Sequence, residues 1–336
     1  MGYDDYYGKH SARFYGWLPA SLEHKARLKG RPIKYFTLCA EEAIDIFMLE
    51  KEGILKRDAN KELPNVFICE KENSVASKIV NLVRPPIKEA IFVGALDVIL
   101  TFKEDKHTAG KDLDADDKNY QIRQKLYNRR LFHRLKNSFP FDIINFDPCG
   151  NLLDNNKDSN KRLMESLKKV FELQNPLDSF LMFVTIPLSD IHKDYIKTFK
   201  AGITKNVKDH PKIGEALSGK YGSSKYEDIE ELHRIAIGFS KSVMTPIAKK
   251  SNWQCNHQGI YVYQNRDKRH MLSSVILLTK SQKFDLDIYV KDVLQIITEM
   301  PSYYPYSNPF GDQVIINNMK EVVEYRTAVK ESFIEQ

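Results

Sequence analysis

The feature that most constrains this chain is a regular alternation of short, apolar, β-rich runs with helical patterns or polar connections. Five such runs are present, at residues 33–40, 66–69, 90–94, 141–146 and 179–186. This alternation is typical of a mostly parallel sheet with helices on both faces. No internal repeat of the solenoid type is present. The sequence therefore predicts an α/β fold.

The chain beyond the fifth run is predicted to add helices and one antiparallel hairpin. Two further β-rich runs, 258–263 and 272–278, flank a polar turn, which favours a hairpin. Helices are predicted at residues 194–217, 226–250, 288–300 and 317–333. The aromatic, proline-containing segment 301–310 is interpreted as a loop that covers the sheet edge. The expected fold is a Rossmann-like, mostly parallel seven-stranded sheet with a terminal antiparallel hairpin, helices on both faces and helical additions.

The length of 336 residues suits two domains, or one large domain with insertions. We expect an N-terminal basic helical segment at 1–32, an α/β domain at 33–280 and C-terminal helices at 281–336. The α/β domain is predicted to carry insertions at 103–138 and 191–250. A hydrophobic fraction of 42% and a charged fraction of 29% exclude disorder as the main state.

Membrane, metal and disulfide chemistry are not indicated by the sequence. No run of about 18 apolar residues is present, and the first residues are polar and aromatic. The four cysteines lie far apart without a CxxC pair, and the histidines show no metal-ligand spacing. We therefore expect a cytoplasmic protein with no metal and no membrane partner.

Basic residues are concentrated in one predicted helix, although the net charge of +6 is mild. Tyr120, Tyr127 and Phe132 are interleaved with five cations: Arg123, Lys125, Arg129, Arg130 and Arg134. Cations mixed with aromatic rings suit phosphates and stacked bases. A solvated helix face is the alternative. Nucleic acid, DNA or RNA, is thus one expected partner.

Acidic residues follow three of the predicted strands, namely Glu70 after the second, Asp97 after the third and Asp147 after the fourth. With this order of elements, residues 33–280 resemble the class I S-adenosylmethionine-dependent methyltransferase fold. In that family, five parallel strands are followed by an antiparallel sixth and seventh. The tetrapeptide Asp147-Pro148-Cys149-Gly150 resembles the catalytic tetrapeptide of amino-methylating nucleic-acid methyltransferases.

The resemblance implies S-adenosylmethionine as the cofactor. Glu70 would accept hydrogen bonds from both ribose hydroxyls, with Glu72 as the alternate. Asp97 would contact the adenine amine. For Glu70 and Asp97, a carboxylate at the start of a helix is the competing interpretation.

Asp147 and Pro148 are the residues that the resemblance assigns to catalysis. A carboxylate acceptor beside a backbone carbonyl orients the lone pair of an attacking exocyclic amine. Cys149 permits another mechanism, in which a thiolate adds to a pyrimidine ring, but apolar packing is its default role.

The first loop departs from the family pattern, because the segment from Cys39 to Asp45 contains no glycine. Ala40 keeps the turn small, and Glu41 or Glu42 could meet the positive charge of the cofactor; Ala40 and Glu41 are the expected cofactor contacts.

Two functions remain open: a methyltransferase acting on a nucleic-acid base amine, and a catalytically inactive binding or scaffolding subunit of a bacterial multi-gene system, with nucleic acid or a protein as partner.

Overall fold

The computed structural model describes residues 7–38, 41–84, 90–102, 115–148, 152–153, 157–189, 191–265, 268–304 and 313–333. Within them, one eight-stranded mixed sheet is covered by helices. The strands are β1 (Tyr35–Thr37), β2 (Val66–Glu70), β3 (Ile91–Val93), β4 (Ile143–Phe146), β5 (Ser179–Pro187), β6 (Trp253–Gln264), β7 (His270–Lys280) and β8 (Ser302–Tyr304).

The helices interleave with the strands much as the sequence pattern predicts. They are α1 (Tyr7–Ala12), α2 (Leu18–Arg27), α3 (Ile44–Lys51), α4 (Asn73–Val83), α5 (Leu96–Leu100), α6 (Ala115–Ser138), α7 (Lys157–Leu173), α8 (Lys193–Asp209), α9 (Pro211–Tyr221), α10 (Glu231–Gly238), α11 (Thr245–Lys250), α12 (Leu286–Glu299) and α13 (Gln313–Glu331). A π-helical segment, Arg13–Trp17, joins α1 to α2, and another, Phe239–Met244, joins α10 to α11.

The strand order is β3-β2-β1-β4-β5-β7-β6-β8. Strands β1 to β5 are parallel, and β7 runs antiparallel to both β5 and β6. The winding direction reverses between β1 and β4, so a switch point lies there, where α/β sheets commonly bind ligands. The α/β class, the mostly parallel sheet and the terminal hairpin are confirmed.

The expected number of seven strands is wrong for the described residues. The eighth strand, β8, lies inside the segment interpreted as a loop and pairs in parallel with β6. Its three residues are too few for a periodicity signal, so only pairing with β6 identifies it as a strand. It does lie on the edge of the sheet, as expected for that segment.

Two apolar cores lie on opposite faces of the sheet. The first packs α5 to α12 against one face, and its helix α7 buries the residues predicted from its amphipathic pattern: Leu163, Leu167, Val170 and Phe171. The second packs the N-terminal helices, α3, α4 and α13 against the other face. There Trp17 stacks on Phe183 at 4.7 Å between ring centroids and donates to the Ser273 hydroxyl. Both ends of the described chain therefore share the core of the sheet.

Candidate functional site

A buried polar cluster lies at the carboxyl ends of β1 and β4, at the switch point. Its centre is Asp45, in the first turn of α3. The Asp45 Oδ2 atom accepts hydrogen bonds from the Tyr35 hydroxyl (2.6 Å), the Thr37 hydroxyl (2.7 Å) and the Asn145 Nδ2 amide (3.2 Å). Three elements, β1, β4 and α3, thus position this carboxylate.

The other oxygen of Asp45 has no donor among the described residues, and neither has Asn145 Oδ1. Asp45 is 1% exposed and Asn145 3%, and the described residues give Asp45 no ion pair. A buried carboxylate is normally paired with a cation, because leaving water is unfavourable for a lone charge. The N-terminal dipole of α3 offsets part of this charge. The cluster therefore holds two buried acceptor atoms, Asp45 Oδ1 and Asn145 Oδ1, that no donor of the described residues satisfies.

Sequence reasoning missed Asp45 as a site residue. The available signal was a carboxylate between Ile44 and Ile46, directly after the first strand and its turn. A charged residue within an apolar run is expected to have a buried partner or a function. Helix α3 begins sharply because Ala43, the residue directly before it, has a left-handed backbone (φ 49°).

The first loop lies partly outside the described residues, including Ala40. Glu41 is exposed, and its carboxylate pairs with the Lys78 ammonium of α4 at 2.7 Å. The Glu41 carboxylate, which was predicted to contact the cofactor, thus binds an exposed lysine of the chain in this structure.

Glu70 and Asp97 lie at the carboxyl ends of β2 and β3, as expected. One carboxylate oxygen of Glu70 accepts the backbone N–H of Glu72 at 2.8 Å, which fixes the direction of the side chain. Asp97, in the first turn of α5, pairs with Arg162 Nε of α7 at 3.0 Å. The Asp97 side chain is 16% exposed and that of Arg162 is 48% exposed. The arginine is therefore the partner that a ligand could replace.

Asp147 follows β4 and pairs with Lys9 of the N-terminal helix α1. The Lys9 ammonium lies 3.1 Å from Asp147 Oδ2, and the two side chains are only 8% and 16% exposed. Pro148 is half-buried, while Cys149 and Gly150 lie outside the described residues. Sequence reasoning missed Lys9, because nothing local connects it to Asp147.

The basic helix α6 runs along β3 in the opposite direction. The Tyr127 hydroxyl donates to the Val93 carbonyl at the end of β3 (2.9 Å), and Arg134 donates to the Ile91 carbonyl at its start (3.2 Å). The Arg134 guanidinium also lies over the Phe92 ring, at 5.4 Å. Arg134 therefore anchors the helix.

The other predicted phosphate contacts on α6 are exposed: Arg123, Lys125, Arg129 and Arg130. The part of α6 before Tyr127 lies beyond the end of β3, on the side of the candidate site.

The described cysteines are buried thiols. Burial raises the pKa of Cys255 to about 12 and raises that of Cys69 further. Thiols with raised pKa values stay protonated and are poor nucleophiles. In the part of the chain that the structure describes, no group of three His, Cys, Asp or Glu residues could hold a metal ion. None of the described helices combines the length and apolar character that crossing a membrane requires.

A family model described as PP_RS20740-like matches residues 128–287, a little under half of the chain. The matched region contains Asp147 and strands β4 to β7, but not the first loop, Glu70 or Asp97. No curated protein matches the chain significantly.

Proposed function

We propose that this chain binds S-adenosylmethionine at the carboxyl edge of its sheet and transfers the methyl group to an amine of a nucleic-acid base. The observation that carries the proposal is the buried Asp45 carboxylate at the switch point, with one oxygen that receives no donor from the described residues. An ammonium group is a cation and a triple donor, so it fits this requirement. The strand order, with antiparallel β7 and β6 after five parallel strands, agrees with the methyltransferase resemblance.

The residues present fit the cofactor as follows. Asp45 and Asn145 accept from the ammonium group, and Glu70 accepts from the ribose hydroxyls. Glu70 and Asp147 end strands β2 and β4, two strand spacings or about 10 Å apart. Asp97 would bind the adenine amine only after exchange with Arg162. The bound cofactor supplies an electrophilic methyl group on its sulfonium.

Asp147 and Pro148 orient the acceptor amine. The Asp147 carboxylate accepts an N–H of the amine, which directs the nitrogen lone pair towards the methyl group. The Lys9 ammonium lies 3.1 Å from Asp147 Oδ2 and so fixes the direction of the carboxylate. This is a positioning role, because Lys9 acts through Asp147.

Isothermal titration with S-adenosylmethionine tests the proposal. We expect binding by the full chain, and about 10- to 100-fold weaker binding for Asp45→Asn and Glu70→Gln, since each removes a charged acceptor. Glu215→Gln, an exposed change on α9, is the matched control and should bind as the wild type does. Glu72→Gln tests the alternate ribose ligand. A lack of binding by the folded wild type contradicts the proposal.

A specific observation favours the second candidate, a catalytically inactive binding or scaffolding subunit. Three carboxylates of the predicted site are already paired with cations of the chain: Glu41 with Lys78, Asp97 with Arg162 and Asp147 with Lys9. If these ion pairs are permanent, none of these three carboxylates is available to a ligand. Absence of cofactor binding together with retained nucleic-acid or protein binding would support this candidate.

A further inference from the structure

We propose that one face of α6 binds an unpaired nucleic-acid strand, with bases stacked on Tyr120 and Tyr127 and phosphates held by Arg123 and Arg130. These four residues are called the Tyr–Arg stripe below. The proposal deepens the proposed function and rests on it for the role of the strand as methyl acceptor. The binding itself requires no cofactor.

The stripe lies on one face of the helix. Its members are spaced by three, four and three residues, and neighbours at these spacings share a face of an α-helix. The two rings are seven residues apart, which is about 10 Å along the axis. This length corresponds to about three bases at 3.4 Å per nucleotide.

The hydrogen bond from Tyr127 to the Val93 carbonyl fixes where the stripe points. It places the C-terminal end of the stripe at the carboxyl end of β3, and the N-terminal end projects beyond the sheet. Tyr120 is 64% exposed and Tyr127 43%. The groove along this face measures about 680 Å³ and is lined by the stripe residues with Gln124 and Leu126, a volume within the range of small-ligand sites.

The composition of the helix matches an unpaired strand. The first turn of α6 carries Asp116 and Asp117, but residues 120–138, which contain the stripe, include six Lys and Arg and no Asp or Glu, which suits phosphates. The faces of exposed aromatic rings stack on bases whose own faces are free. In a duplex those faces are already stacked on neighbouring base pairs. The alternation of rings and guanidinium groups therefore favours an unpaired strand over a duplex.

The stripe is also within reach of the proposed acceptor position. Strands β3 and β4 are three strand spacings apart, which is about 14 Å. A strand that stacks on Tyr127 can therefore extend a few nucleotides along the carboxyl edge of the sheet to Asp147.

Fluorescence anisotropy on the full chain, without cofactor, tests this inference. The probes are a fluorescein-labelled 12-nucleotide DNA, the RNA of the same sequence, and the matching DNA duplex, each at several salt concentrations. We expect at least one single strand to bind about tenfold more tightly than the duplex, and the DNA and RNA arms identify its source. Tyr120→Ala should weaken single-strand binding roughly 5- to 100-fold. Arg130→Ala should reduce the salt slope by about 0.7.

Lys136→Ala is the matched control, since it removes an exposed cation of the same helix on another face. It should leave the affinity within about twofold. Equal or tighter binding of the duplex, or an equal effect of Lys136→Ala and Arg130→Ala, would overturn the inference. The comparison of single strand with duplex uses the wild-type protein alone, so it does not depend on any variant folding. Cofactor titration separates the two proposals, because either binding event can fail alone.

Discussion

At the scale of residues, the Lys9–Asp147 ion pair is the contact that defines the proposed acceptor position. Because both side chains are largely buried, we expect Lys9→Met to lower the free energy of unfolding by about 2–4 kcal/mol, since it leaves the Asp147 charge without its partner. Urea denaturation of Lys9→Met, Asp147→Asn and the double variant measures this. The double variant should be more stable than the sum of the single changes predicts; strict additivity would show that the pair is not coupled.

The exposed pair Lys78–Glu41 provides the control for this cycle. Its side chains are 60% and 47% exposed. Ion pairs in water contribute little, so Lys78→Met should change the stability by less than about 1 kcal/mol.

At the scale of elements, two glycines in helices should respond in opposite directions to the same substitution. A Cβ on Gly238 of α10 would collide with the buried ring of Phe199 on α8, so Gly238→Ala should destabilise the protein by about 1–3 kcal/mol. A Cβ on Gly219 of α9 would meet nothing within 4 Å. Gly219→Ala should stabilise by about 0.5–1 kcal/mol, because alanine has the higher helix propensity. Thermal unfolding of both variants tests this; shifts of the same sign would contradict the packing of α8 on α10.

At the scale of the whole molecule, buried histidines should make stability depend on pH. His10 of α1 lies within 2.9 Å of Asn318 of α13 and so joins the two ends of the described chain. Burial lowers its pKa from 6.5 to about 4. Between these pH values the unfolded chain binds more protons than the folded one, so stability falls as the pH falls, by about 3 kcal/mol from this residue. Burial lowers the pKa values of His24 and His233 as well, which adds in the same direction.

Urea denaturation at pH 7 and pH 4.5 measures this dependence. His10→Asn should flatten it, since the titrating group is gone. His133→Asn, at an exposed position of α6, should leave the dependence unchanged. An equal slope in the His10→Asn variant would show that His10 does not titrate as described.

Much of the fold could be predicted from the sequence, because periodicity and turn residues act locally. The five parallel strands, the hairpin of β6 and β7, and the buried face of α7 all follow from such patterns. Strand β8 could not be predicted this way, because its identity depends on pairing with a distant strand.

The candidate site, like the fold, could be predicted only in part from the sequence. The sequence alone determined that Glu70, Asp97 and Asp147 lie at or just after the carboxyl ends of parallel strands, and therefore that they share one edge of the sheet. Tertiary structure decided which groups they meet: Arg162 beside Asp97, Lys9 beside Asp147, and a buried Asp45 beneath the switch point. The physical reason is that strand ends follow from local hydrogen bonding, whereas the partner of a charge depends on which distant elements the fold packs against it.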